Sequence, residues 1–197
     1  MKIDIRGLSE DQIIEFFEKK GFDSYRGRQV YEWIWRKSCY SFDEMTNISK
    51  DLRDVLDNYF VINHIQVDKI QKSFDGTIKN AVKLHDDHTV ESVLIPTDDR
   101  TTACVSSQVG CSLDCKFCAT SKLKRMRNLN PDEIYDQVVT INDQSLKYFN
   151  RPLSNIVYMG MGEPLMNYNN LIKSIEKISS DKGLNMSQKR IVVSTSC

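Results

Sequence analysis

The first sixty residues carry apolar side chains at helical spacing. Ser9 and Gln12 stand three apart, as in a capping box, and Gly21 offers a stop. Between them Ile13, Phe16, Phe17 and Lys20 mark one helix face, its three apolar members suited to burial. A second helix is predicted over Gly27 to Lys37, carrying Val30, Trp33, Ile34 and Trp35. A third is predicted over Lys50 to Phe60, with Leu52, Val55, Leu56 and Tyr59 inward. Residues 1–62 therefore read as a small helical bundle. From about His64 the period switches to two. Runs from His64 to Lys72, Thr77 to Leu84 and Thr89 to Ile95 are separated by Asp75-Gly76 and by His85-Asp86-Asp87-His88. Both separators are turn-like, so an antiparallel meander is expected over 63–98, ended by Pro96.

After Arg100 strands and helices alternate. Strands are predicted over Thr101 to Ser107, Asn155 to Met159 and Arg190 to Ser194. Pro131, with Asn130 as N-cap, opens a helix to about Lys147, and another runs from Tyr168 to Ile178. Strand, helix, strand, helix, strand over 99–197 predicts an α/β layer with a parallel sheet. The sequence stops at Cys197, at a strand end. Three parallel strands would leave an apolar edge uncovered, so this reading expects a piece of a longer protein.

Composition narrows the function classes. The chain has 197 residues, is 40% hydrophobic and 27% charged, and balances 27 basic against 27 acidic residues. These values suit a soluble globular protein, and whole-chain charge predicts no polyanion partner. Any nucleic-acid contact has to come from a local basic surface. The opening MKIDIRGLSEDQ has no apolar core of a signal peptide, and no run approaches the roughly 20 apolar residues of a membrane span. The expectation is a cytoplasmic chain without membrane contact. In a reducing compartment, six cysteines with three clustered point to metal or redox chemistry rather than a disulfide framework.

The cluster is "VGCSLDCKFCATS", with Cys111, Cys115 and Cys118. A structural zinc site is nearly always closed by four ligands in paired clusters, and no second pair stands nearby. His85 and His88 look like turn residues. An iron–sulfur cube held by three thiolates keeps one iron free for another ligand. Phe117 suits an apolar wall against water. Zinc stays open as the alternative. Further on, "GMGEP" places Gly160, Gly162, Glu163 and Pro164 directly after a strand, where parallel α/β folds bind ligands. A carboxylate there can accept hydrogen bonds from an ammonium group, although a Gly-rich turn is often only a tight connection. Two basic groups stand out: Lys122, Lys124, Arg125 and Arg127 after the cysteine loop, and Arg26, Arg28, Arg36 and Lys37 around Trp33 and Trp35. Such runs are usually solvated faces, and the tryptophans suit a bundle core.

"CSLDCKFC" carries the signature of radical S-adenosylmethionine enzymes. Its setting resembles the RlmN/Cfr family of adenosine C2 and C8 RNA methyltransferases, most closely the RlmN branch. The matching stretches are "YRGRQVYEWIWRK", "ESVLIP", "TTACVSSQVGCSLDCKFCATS", "IVYMGMGEPLMNYNN" and "RIVVSTS", in the family's order. The resemblance implies an accessory helical RNA-contact domain, then about the first three of six strands of a (β/α) barrel. It implies a 4Fe-4S cluster on Cys111, Cys115 and Cys118, with S-adenosylmethionine on the free iron and on Gly162, Glu163 and Ser194. Glu91 matches the proposed proton acceptor; a carboxylate on an apolar strand face would have its pKa raised. Cys104 matches a second reactive cysteine, which helps resolve the RNA adduct and can form a disulfide with the methyl-carrying cysteine. Cys39 matches nothing, and Cys197 is not the methyl carrier, which the family places far downstream.

The implied reaction is ping-pong methylation of adenosine C2 in 23S rRNA and tRNA through a methyl-cysteine. It consumes two molecules of S-adenosylmethionine and takes an electron from a donor such as flavodoxin or ferredoxin, on a monomeric chain. Residues 1–197 alone are not expected to methylate RNA, since the methyl carrier is not among them. Two alternatives stay open: C8 methylation, and a zinc or iron–sulfur RNA-binding module without catalysis.

Overall fold

The computed structural model describes residues 2–113, 115, 116 and 118–196. The chain divides into two compact units, residues 1–64 with 180–185, and residues 65–179 with 186–197. The meander expected as a separate segment is therefore part of the second unit.

In the first unit, helix α1 (Glu10–Lys19) opens on a capping box. The Ser9 hydroxyl accepts from the Gln12 N–H, and the Gln12 side chain accepts from the Ser9 N–H. Its buried residues are Ile13 and Phe17. Helix α2 runs Ser24–Trp35, starting and ending earlier than its apolar spacing predicts. Gly27 lies inside it, at a crossing where a Cβ would come within 2.7 Å of the Ile14 backbone. The glycine is thus a packing contact, not a helix start. Helix α3 (Lys50–Tyr59) buries Leu52 and Leu56. A two-residue parallel pair that periodicity could not reveal joins strand β1 (Ile3–Asp4) to strand β2 (Phe60–Val61). Trp35 is core, as expected. Trp33 is only half-buried, donates to the Asn47 side-chain oxygen, and carries Lys37 over its ring at 3.6 Å.

In the second unit, the described residues form a six-stranded sheet. Strands β3 (Gln66–Lys72), β4 (Ile78–Lys83) and β5 (Thr89–Pro96) make the expected meander. Strand β5 then pairs antiparallel with β6 (Thr101–Val105), which fuses the meander to the parallel part. Strand β6 continues into β7 (Gln108–Val109), which pairs antiparallel with β8 (Arg127–Asn128) across the cysteine loop. Helix α4 (Pro131–Phe149) follows, then β9 (Asn155–Tyr158), helix α5 (Tyr168–Ser179) and β10 (Ile191–Val193). Strand β9 lies parallel between β6 and β10. The expected class, α/β with three parallel strands of a partial barrel, is what the sheet presents.

One face of this sheet is packed by the helices. Ile78, Val82, Val90, Leu94, Ala103, Val105 and Ile156 are buried with Ile134, Val138, Ile141, Leu171 and Ile178. Buried polar pairs fix the helices in register. Asn80 and Gln144 exchange amide hydrogen bonds at 3.0 and 2.7 Å, and the Tyr158 hydroxyl meets Ser174 at 2.8 Å. Because side chains alternate along strands, the partners Val93, Cys104, Val157 and Val192 form a row across the other face. Glu91 is on that face too. Among the described residues, no helix is long and apolar enough to cross a membrane.

Candidate active site

The cysteine loop rises from a two-stranded neck. The pairs Gln108–Asn128 and Val109–Arg127 close it, and a bridge between Cys111 and Lys124 extends the closure. Gly110 makes this approach possible: its φ is +73°, and a Cβ there would fall 2.3 Å from the Lys124 carbonyl oxygen. Arg127 braces the neck from outside, forking onto Glu133 at 2.8 Å twice and reaching Asp86 at 2.6 Å. Each group stabilises its partner's charge. Hydrogen bonding to Glu133, ahead of that to Asp86, raises the guanidinium pKa further, and the Arg127 contact holds Asp86 well below the usual carboxylate range. By sequence alone Arg127 is one member of a basic run. The spacing of Asn130 and Glu133, a second capping box, was the available signal.

Cys111, Cys115 and Cys118 are free thiols of intermediate exposure. They share one wall of an open cavity of about 400 Å³. The Cys111 sulfur receives the Leu113 N–H at 3.4 Å. Burial pushes the Cys118 thiol up, but hydrogen bonds from Thr120 and Ser121 outweigh it and the net shift is downward, towards the thiolate. Among the described residues no three metal-ligating groups already converge on one point. The thiols face one space without yet forming a closed ligand set. Phe117 and Cys197 lie outside the described residues.

The opposite wall comes from the carboxyl ends of β9 and β10: Gly160, Gly162 and Glu163 from the GMGEP turn, and Ser194, Thr195 and Ser196. Glu163 is buried and tightly held. One carboxylate oxygen accepts from the Leu165 N–H at 3.0 Å, the other from the Ser196 N–H at 3.1 Å. Desolvation pushes its pKa up, yet these bonds and those from the Thr195 and Ser196 side chains prevail, leaving it below the ordinary value. An ionised carboxylate thus faces three thiols across one cavity. His85 and His88 take no part in that wall and pair instead with Glu133 and Asp86 at 3.3 and 3.1 Å.

Glu91 and Cys104 do not line the cavity. Glu91 is half-exposed and ion-paired to Lys79 at 2.6 Å, so the apolar surround expected for it is absent. The diagonal neighbour on β4, which stands opposite Val93, supplies a cation that alternation along β5 alone could not show. Cys104 is buried, and desolvation raises its thiol pKa against a backbone hydrogen bond from Met159, which lines the cavity. Ser106 ties these parts together: its hydroxyl donates to the Glu91 carbonyl at 2.5 Å and accepts the Met161 N–H at 2.8 Å.

Both parts of the chain are similar to known proteins. Residues 3–62 match the ribosomal RNA large subunit methyltransferase N-terminal domain, and residues 105–197 match the radical SAM superfamily. The probable dual-specificity RNA methyltransferase RlmN of Christiangramia forsetii is 70% identical over 99% of this chain and 55% of its own length. The dual-specificity RNA methyltransferase RlmN of Desulfotalea psychrophila is 42% identical over 98% of this chain and 55% of its own. A crystal structure of a radical SAM methyltransferase from Sphaerobacter thermophilus superposes with a TM-score of 0.86 at 35% identity, covering 98% of this chain and 57% of that one. The chain spans about half the length of the curated relatives it matches. The N-terminal helical domain and the thiol-lined α/β unit are thus similar, in order, to the ribosomal RNA large subunit methyltransferase N-terminal domain and to the radical SAM superfamily, and the chain is similar to RlmN proteins along nearly all of its length.

Proposed function

We propose that this chain carries the cluster and S-adenosylmethionine site of an RNA methyltransferase that acts on adenosine C2 in 23S rRNA and tRNA by a ping-pong route through a methyl-cysteine. The observation that carries the reading is the cavity with three thiols on one wall and the Glu163 carboxylate on the other. Its lining holds no histidine and no fourth cysteine among the described residues, so the donor set fits a centre with one open position better than closed zinc. When bound, a 4Fe-4S cluster with one iron free supplies the electron that cleaves the sulfonium bond of S-adenosylmethionine.

Around that group the chain's own residues have separate tasks. Cys111, Cys115 and Cys118 hold the irons. Glu163 accepts the methionine ammonium, while Gly162 and Ser194 border the same space. Glu91 and Cys104 are the candidates for the adenine proton and the RNA adduct; burial keeps Cys104 protonated, and Lys79 keeps Glu91 paired. The same reading takes reduced flavodoxin or ferredoxin as electron donor and the cytoplasm as compartment. The relatives' names, dual-specificity RNA methyltransferase, support RNA as substrate.

Anaerobic reconstitution followed by metal analysis tests the site. About four irons and four sulfides per chain are expected; a stoichiometric zinc with no sulfide would refute it. For RNA contact, Arg26, Arg28 and Arg36 are the basic candidates, and Arg26 also stacks on Tyr25 at 4.7 Å. If all three meet phosphates of an unpaired segment, neutralising them weakens binding. The slope of log K against log salt then becomes shallower by about 2, at roughly 0.7 per contact. An unchanged slope would remove these residues from the interface.

A further inference from the structure

Between the neck of the cysteine loop and the GMGEP turn stands one fully buried amide that no part of the proposed chemistry uses. Gln108 is in β7, three residues before Cys111, and has no exposed surface. Its side-chain oxygen accepts the Glu163 N–H at 2.9 Å, and its side-chain nitrogen donates to the Asn128 side-chain oxygen at 2.7 Å. Asn128 lies opposite it in the neck, on β8, and its own amide nitrogen reaches the Met166 carbonyl at 3.3 Å, just past the turn. The backbone repeats the link, because the Ser107 and Gln108 N–H groups both donate to the Met161 carbonyl, at 2.9 and 3.2 Å.

Gly162 gives this contact a steric reason. Its φ is +92°, and a Cβ there would come within 2.4 Å of the Gln108 Cβ. The glycine therefore admits the glutamine as well as bordering the cavity. A side chain with a donor and an acceptor at one end is what such a junction requires. The amide carbonyl serves the turn and the amide nitrogen serves the neck, and both groups are buried, so either left unpaired would be costly.

We infer that Gln108 is a positioning residue that ties the thiol wall to the carboxylate wall, setting where the Glu163 carboxylate stands relative to the cysteine loop. The inference rests on the proposed S-adenosylmethionine site. It assigns Gln108 no contact with the cofactor. Its effect is confined to ligands that use Glu163, those with the amino-acid headgroup.

That confinement supplies the test. S-adenosylhomocysteine carries the headgroup ammonium, whereas 5'-methylthioadenosine keeps the adenosine and sulfur and lacks it. Binding of both is measured by calorimetry to the reconstituted 197-residue chain, as wild type, Gln108→Leu and Asn128→Ala. Gln108→Leu is expected to weaken S-adenosylhomocysteine about tenfold and methylthioadenosine less than twofold, with iron content unchanged. Asn128→Ala, which releases the other end of the amide, shows the same selectivity at smaller size and serves if the leucine variant fails to fold. In a double-mutant cycle with Glu163→Gln the two losses fall short of additive, as for groups acting through one another. Equal losses for both ligands, additive losses, or no loss would overturn the inference. If wild type takes up iron but neither ligand, the proposed cofactor site itself fails, and the inference falls with it.

Discussion

Replacing Cys111, Cys115 or Cys118 singly by alanine lowers retained iron from about four atoms per chain to below about one. In the proposed site these three thiols hold the irons, and among the described residues the lining offers no histidine or spare cysteine to take a lost position. A cube left with two protein thiolates has two open irons and is quickly stripped by chelators. Cys39→Ala is the matched control. That thiol is buried, and desolvation first, then Glu44, pushes its pKa up to about 12, so at neutral pH it is a packed protonated group. Iron and sulfide analysis with the visible absorption of the brown protein reads both outcomes. Full iron in Cys115→Ala would mean the cluster is held elsewhere.

Glu163→Gln weakens S-adenosylhomocysteine binding by about ten- to hundredfold, the range for a lost charge-assisted hydrogen bond. The substitution also replaces one accepting oxygen by a donor, which must then face either the Leu165 or the Ser196 N–H. The pH dependence follows from the direction of the shift. With the folded pKa depressed, Glu163 stays ionised below the ordinary glutamate value of about 4.3. Its contribution to stability is fully present above that value and is lost as pH falls through the lower folded pKa. Headgroup affinity is therefore flat from neutral pH to below the ordinary glutamate range in wild type. A loss of affinity centred between pH 5 and 6 would show instead a carboxylate with a raised pKa.

Much of the fold could be read from periodicity because most elements bury one face. The capping box at Ser9, the β3–β5 meander and the three parallel strands follow from spacing and turn residues. Features made by distant residues could not be read this way. The β1–β2 pair is too short for any period, and the fusion of β5 to β6 depends on register. Gly27 resembles a helix start in sequence and is a helix crossing in space. At the site, the three cysteines and GMGEP announced themselves because their chemistry is unusual at that spacing. Gln108, Ser106 and Arg127 did not, since a buried amide, a hydroxyl and a paired guanidinium look like ordinary polar residues until their partners are known. Glu91 shows the limit most directly: alternation gave its face, while Lys79 on the next strand decided its surroundings.

In the proposed centre three thiols leave one metal position free in the cavity that Glu163 also lines. Electron paramagnetic resonance of the anaerobically reconstituted and reduced chain, titrated with S-adenosylmethionine, reads that position directly. The predicted result is a 4Fe-4S signal whose g values shift on saturation and stay unshifted with methylthioadenosine. A signal indifferent to S-adenosylmethionine at every concentration would contradict it.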